Sequence, residues 1–262
     1  MGDTAGLVGV SAQLTRRSPK TLRAPVIVGR LHHRYGEHPI ELDHRSPFQL
    51  LVATILAAQS TDKKVNEVTK TLFVKYQGPA DFAGAPEEEL QRDIYQTGFY
   101  RQKTKALQGM SRALLERYDG EVPLRMADLV TLPGVARKTA NVVLGEAAPE
   151  VHAADPQAGM AVDTHVKRLS RRFGFTRQAE PEKIERDLMR LLPKPQWAKS
   201  SLVIILHGRR ICDALRPRCA DCLVEDLCPS SLIAGRRDLA GQAKGLGRLG
   251  LSGEPQPSGE SL

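Results

Sequence analysis

From Ser46 to Arg210 apolar residues recur at the three- and four-residue spacing of amphipathic helices, and no stretch sustains a period-two alternation. The pattern predicts an all-α chain. Phe48 to Ala58 is apolar almost throughout, with Ser46 as N-cap and Pro47 at the first helical position, so this helix is expected to be buried on most sides. Asp62 is expected to cap a second helix carrying Val65, Val68, Leu72, Phe73 and Tyr76. A third spans Pro86 to Gln96, with Glu87 to Glu89 set against the positive end of its dipole. The next, Arg101 to Tyr118, turns Leu107, Met110, Leu114 and Leu115 inward and stops at Asp119-Gly120. A short helix over Met126 to Thr131 leads through the turn Leu132-Pro133-Gly134 into a helix from Arg137. Helices over Asp163 to Phe173, Pro181 to Leu192 and Trp197 to Arg210 complete the series. Gly145 to Gly159, rich in Ala, Pro and Asp, reads as an exposed loop. Residues 1–24 and 235–262 lack periodicity and read as unstructured tails, the first of them basic.

Composition adds limits rather than identity. With 41% hydrophobic and 26% charged residues, the 262-residue chain can bury a core. No apolar run approaches the roughly 18–20 residues of a membrane-spanning helix. The first residues lack the basic-then-apolar order of a secretory signal, so a cytoplasmic protein with a solvated N-terminal tail is expected; their basic, acid-poor character leaves organelle targeting open. A formal charge of +8 is compatible with a nucleic-acid or anionic-surface partner but equally with scattered surface charge.

Candidate chemistry lies in three places. All four cysteines fall in the pattern Cys212-x6-Cys219-x2-Cys222-x5-Cys228. Disulfides suit small secreted domains and fit poorly here. Structural zinc favours two short-spaced pairs, of which only Cys219 and Cys222 qualify, while iron–sulfur clusters accept four thiolates at uneven spacing. Spacing leaves zinc and a [4Fe–4S] cluster as rivals. The segment from Asp128 to Leu144 is a helix–turn–helix whose second helix would present backbone N–H groups and a positive dipole end to an anion, although an ordinary helical hairpin has the same outline. Lys138 lies in the first turn of that second helix, where the dipole disfavours an ammonium, and an unprotonated amine is a nucleophile. Asp163, in Ala161-Val-Asp-Thr-His165, is at the least the N-cap of the helix it begins.

Taken in order, LPGVARKTAN, AVDTH and the cysteine tail resemble the endonuclease III family of helix-hairpin-helix DNA glycosylases, a likeness that covers about residues 25 to 230 and includes Leu56-Ala-Ala-Gln59-Ser-Thr-Asp62. The resemblance implies a bifunctional glycosylase and abasic-site lyase acting on double-stranded DNA that contains oxidised pyrimidines or abasic sites. It implies Lys138 as the Schiff-base nucleophile, Asp163 as its assistant, and a [4Fe–4S] cluster on Cys212, Cys219, Cys222 and Cys228. DNA contacts are expected from Gln59, inserted beside the orphaned base, and from Phe99 as a wedge, against the plainer readings of a helix-terminal polar residue and a core aromatic. Gly134, Ala136 and Arg137 in the hairpin and Arg216 and Arg218 beside the cluster are further candidates, the last two being equally plausible as exposed arginines without a partner. Two departures stand out. The hairpin normally reads Gly-Val-Gly where this chain has Ala136, which puts a Cβ where a phosphate would approach, and the segment between Lys138 and Asp163 is longer than usual.

The implied architecture is two helical lobes around a DNA-binding cleft. One is a six-helix lobe, residues 44–145. The other joins residues 25–43 to 146–234 and carries the cluster loop, so that Lys138 and Asp163 meet from opposite lobes in a monomer. His165 and His207 are expected near the cleft or as packing residues. Two other functions compete: a monofunctional adenine glycosylase, whose hairpin lacks the lysine, and a non-catalytic DNA-binding protein that uses the hairpin as a phosphate clamp.

Overall fold

The computed structural model describes residues 14–36 and 38–234, and within them the regular structure is helical, with no strand. Of the expected tails, residues 1–13 and 235–262 lie outside the described residues. The remainder of the first is structured: α1 (Lys20–Tyr35) begins five residues before the expected boundary, and its Pro25 is accommodated within the helix. None of the described helices is long and apolar enough to cross a membrane.

Two buried apolar clusters organise the chain. The first draws on α2 (Pro47–Leu56), α3 (Asp62–Lys75), α4 (Pro79–Gly84), α5 (Glu87–Ile94), α6 (Tyr100–Tyr118), α7 (Met126–Leu129) and α8 (Arg137–Ala147). Leu42 and Ala158, assigned by sequence to the other lobe, pack into it, so its core extends past both expected boundaries. The central position of α2 reflects its composition, with eight of its ten residues buried and Ser46 Oγ accepting from the Gln49 N–H.

The second cluster unites α1 with α10 (Thr164–Arg172), α11 (Pro181–Met189), α12 (Trp197–Arg210) and two short turns, Cys219–Asp221 and Glu225–Leu227. Ala24, Ile27, Val28 and Leu31 put the apolar stripe of α1 against this half.

Local differences from the expected elements have tertiary causes. Gly145 to Gly159 is not an open loop. It contains the end of α8 and α9 (Pro149–Ala154), whose His152 is buried and bonds through Nε2 to the Gly159 carbonyl at 2.9 Å. The helix α4 was not expected; Asp81 accepts from the N–H groups of Gln77 and Gly78, while fully buried Phe82 packs on Phe48 and Tyr76. Thr61, not Asp62, caps α3, its hydroxyl accepting from the Lys64 N–H. Leu115 points outward and is 42% exposed, because α6 buries a stripe too narrow to include it.

Candidate active site

The helix–turn–helix forms through a glycine that the geometry requires. Gly134 has φ +76°, and a Cβ there would lie 2.6 Å from Ala106 Cβ on α6, so conformation and close packing both select glycine. Ala136 differs. It is the N-cap of α8 with φ −79° and ψ 165°, a conformation any residue adopts, so the departure from Gly-Val-Gly strains nothing in the backbone. Both positions are exposed.

Lys138 lies in the first turn of α8 and is exposed, without a hydrogen-bond or ion-pair partner among the described residues. Asp163 is the N-cap of α10, its Oδ1 accepting from the Val166 N–H at 2.8 Å. The first residue belongs to one lobe and the second to the other, and both line two adjoining cavities, of about 340 and 520 Å3. Asn141, Asp62, Ala57 and Arg209 line both as well, so the cavities are two parts of one cleft between the lobes. Gln59, Ala136, Arg137 and His165 surround the larger one. His165 therefore reaches the cleft, where burial pulls its imidazolium down and nearby Asp163 partly opposes the shift. His207 does not. It is fully buried in the second lobe between Tyr35 and Phe173, and burial holds it down at about 4.

Two ionic networks that sequence reasoning missed tie the lobes together beside the cleft. Arg137, expected on DNA, turns back onto Glu185 of α11 through paired bonds, Nε–Oε2 at 2.8 Å and Nη2–Oε1 at 2.9 Å. Asn141 donates to the same carboxylate at 3.1 Å and accepts from the Gly159 N–H at 2.8 Å. A side chain at Gly159 would collide with Glu185 Oε1, so the loop, the helix and the carboxylate fit only with glycine there. Glu185 is almost fully buried while Arg137 is 40% exposed, and with Asn141 still donating to the carboxylate the loss of Arg137 would cost about 1–3 kcal/mol. On the other side Arg209 of α12 bonds Glu41 and Asp62 of the first lobe, while Arg210 reaches Glu41 at 3.2 Å. Burial disfavours the Arg209 charge, but the two carboxylates outweigh it and raise its pKa above the ordinary value. Asp62, expected only as a helix cap, is thus a wall of the cleft and an ion-pair partner.

The remaining candidates separate by exposure. Phe99 is 55% exposed, which overturns the core-aromatic alternative, and Gln59 is exposed beyond the end of α2. Both adopt the left-handed backbone region, at φ 49° and 53°. Arg216 is exposed, with only its backbone N–H engaged, on Asp213. Arg218 instead closes the loop on itself, donating to the Arg210 carbonyl and facing Asp221 at 3.9 Å.

All four cysteines line one cavity of about 210 Å3, and none is joined to another in a disulfide. Burial pushes the Cys222 thiol up to about 12 and Cys228 to about 11, so neither ionises at neutral pH without a compensating cation. Four thiols around one cavity are a donor set suited to a metal group held by thiolates. Arginines lock the surrounding chain. Arg172 donates to Cys212 Sγ at 3.1 Å and to the carbonyls of Asp213 and Ala214, and Arg168 donates to the carbonyls of Gly208 and Cys212.

A helical chain with a helix-hairpin-helix beside an interlobe cleft is the architecture of a DNA-repair superfamily. Residues 52–194 match the family model of the HhH-GPD superfamily base excision DNA repair proteins. Endonuclease III of Synechocystis is 48% identical over 222 residues, covering 85% of this chain and 99% of that protein. A solved non-covalent endonuclease III–DNA complex superposes with a TM-score of 0.76 at 39% identity, covering 84% of this chain and all of the other. A trapped endonuclease III–DNA covalent intermediate gives 0.75 at 38%, covering 85% and 100%. The chain belongs to the endonuclease III family of the HhH-GPD superfamily.

Proposed function

We propose that this chain is a bifunctional DNA glycosylase and abasic-site lyase of base excision repair, acting as a monomer on double-stranded DNA to remove oxidised pyrimidines and to cleave at abasic sites. One observation carries the reading: an exposed lysine at the head of α8 and a carboxylate at the head of α10, on opposite lobes, open onto the same cleft. The target nucleotide leaves the base stack to bring its sugar within reach. Lys138 Nζ attacks C1′; as the C–N bond forms the glycosidic bond breaks, and the base departs with the bonding pair and a proton. Nitrogen is needed because its lone pair then breaks the C1′–O4′ bond, the ring oxygen leaving with that pair and taking a proton, so that C1′ is held as an iminium, whereas water would stop at the free abasic sugar. The iminium acidifies the C2′ proton, and its loss breaks the C3′–O bond and expels the 3′ phosphate. Water then hydrolyses the imine and frees the lysine.

Asp163 has one oxygen held by the Val166 N–H, which fixes its orientation; the other stabilises positive charge developing on the sugar and accepts the amine proton. Gln59 and Phe99 fill the space vacated by the extruded base, and the hairpin amides around Gly134 and Ala136 receive a phosphate. Arg216 approaches the backbone with its side chain free, Arg218 with part of its bonding used. Arg137 holds the lobes at the cleft mouth, given its paired bonds to Glu185.

Cys212, Cys219, Cys222 and Cys228 would hold a [4Fe–4S] cluster, supported by the cavity that all four line. When bound, the cluster supplies a four-point anchor for the terminal loop.

Borohydride reduction in the presence of abasic duplex tests the reading. Wild-type protein should form a covalent complex that Lys138→Gln lacks, and Asp163→Asn should slow its formation by about 10²–10⁴-fold. Undiminished trapping by Lys138→Gln would overturn the assigned nucleophile.

A further inference from the structure

Burial holds the Lys103 ammonium down to about 8, yet this lysine lines neither part of the cleft and is 5% exposed, so it is no rival to Lys138 as nucleophile. Its ammonium is committed to the backbone: Nζ donates to the Leu56 carbonyl at 2.7 Å and to the Thr97 carbonyl at 2.8 Å. Leu56 is the last residue of α2, so the positive charge sits at the negative end of that helix and satisfies a carbonyl that α2 leaves open.

Each of these carbonyls lies just ahead of a residue in the left-handed backbone region. Gln59, three residues beyond Leu56, has φ 53°, and Phe99, two residues beyond Thr97, has φ 49°. A left-handed backbone is costly for residues with a Cβ, most of all for an aromatic one, and persists only where the surroundings determine it. Both side chains are exposed despite lying beside a well-packed core. The two loops are 40 residues apart in sequence, counting from Gln59 to Phe99. A buried lysine connects their roots.

We propose that Lys103 is a positioning residue that sets the DNA-probing loops of Gln59 and Phe99 in register with one another, so that both enter the same lesion site. The proposal rests on the reading that these two residues enter DNA. Without the ammonium, the loop roots lose their common tie and two carbonyls lose a donor, while Lys138, Asp163 and the hairpin are untouched. Lys103 acts through the loops and contacts no substrate.

The test compares binding of the cluster-loaded, full-length protein to a duplex carrying a stable tetrahydrofuran abasic analogue and to the same duplex undamaged, using fluorescence anisotropy. Lys103→Met, which keeps the apolar stem as far as Cε and removes the ammonium, should weaken lesion binding about tenfold or more and leave undamaged binding within about twofold, consistent with the loss of two hydrogen bonds. Borohydride trapping at saturating DNA should remain near wild type. Lys103→Gln, which keeps a donor on a shorter stem, should fall between, and it serves as the second variant if Lys103→Met does not fold. The double variant Gln59→Ala/Phe99→Ala should lose the same discrimination, and adding Lys103→Met to it should cause no further loss.

Each other outcome counts against the proposal in a distinguishable way. If the double variant retains full discrimination, the loops do not probe DNA and the proposal falls with that reading. If the double variant loses discrimination but both Lys103 variants keep it, the reading stands and the role of Lys103 is refuted. Equal weakening on lesion and undamaged DNA, or additive loss in the triple variant, would reduce Lys103 to a general structural residue.

Discussion

The two lobes are stabilised differently. The first is drawn from one nearly continuous stretch of chain, and its helices close around a core dominated by Leu, Val, Ile and Phe. The second combines α1 with the far end of the described chain, and its last segment has only two short turns of regular structure. That segment is fastened by polar ties: Arg23, 4% exposed, bonds the carbonyls of Ser18, Phe173 and Leu227, while Arg30 reaches Leu223 and Asp226. Where an amphipathic helix is lacking, side-chain donors take over the role that apolar burial has in the first lobe. The difference teaches where the molecule will fail first.

Losing the thiol anchor should have the largest effect. Structural metal centres contribute on the order of 10 kcal/mol to folding, comparable with the whole stability of a domain. With the proposed cluster as that anchor, Cys222→Ser or chelation of its iron should therefore expose the amides of α10 and α12 to hydrogen exchange while those of α3 and α6 stay protected. Uniform loss of protection across both lobes would break the contrast.

Next comes Arg23→Met, which keeps much of the side-chain volume but leaves three buried or half-buried carbonyls without a donor. A loss of about 3 kcal/mol is expected, read from the urea midpoint. A loss below about 1 kcal/mol would mean that apolar packing alone holds this lobe.

Smaller effects sharpen the picture in the first lobe. Gly134→Ala should cost about 2 kcal/mol, because φ is positive and the new methyl meets Ala106, whereas Ala136→Gly should change stability by less than about 1 kcal/mol. Equal costs at the two positions would show that folding does not require glycine at 134.

Much of the fold was legible in residue order. Helical periodicity, the Ser46 cap and the turn at Gly134 identify elements because they act within a few residues. The motif order pointed to Lys138, Asp163 and the cysteines. Missed were α4 and α9, six residues each, too short to show a period and stabilised by buried Phe82 and His152. The ionic ties were missed as well, since nothing local marks which of 38 basic residues is paired. Two carried a faint signal. Lys103 falls in line with Leu107, Met110 and Leu114, and Arg23 with Ile27 and Leu31, so each charge sits on the stripe its helix buries.

By itself the sequence determined the helical class, the element that carries each chemical group and the concentration of thiols near residue 220, because periodicity, caps and spacing are short-range properties. Only the tertiary structure decided that Arg137 faces Glu185, that Arg209 joins Glu41 to Asp62, and that Lys103 links two distant loops. Those pairings depend on which charges the packed lobes exclude from water together. That is settled by the meeting of surfaces far apart in the chain, not by neighbours along it.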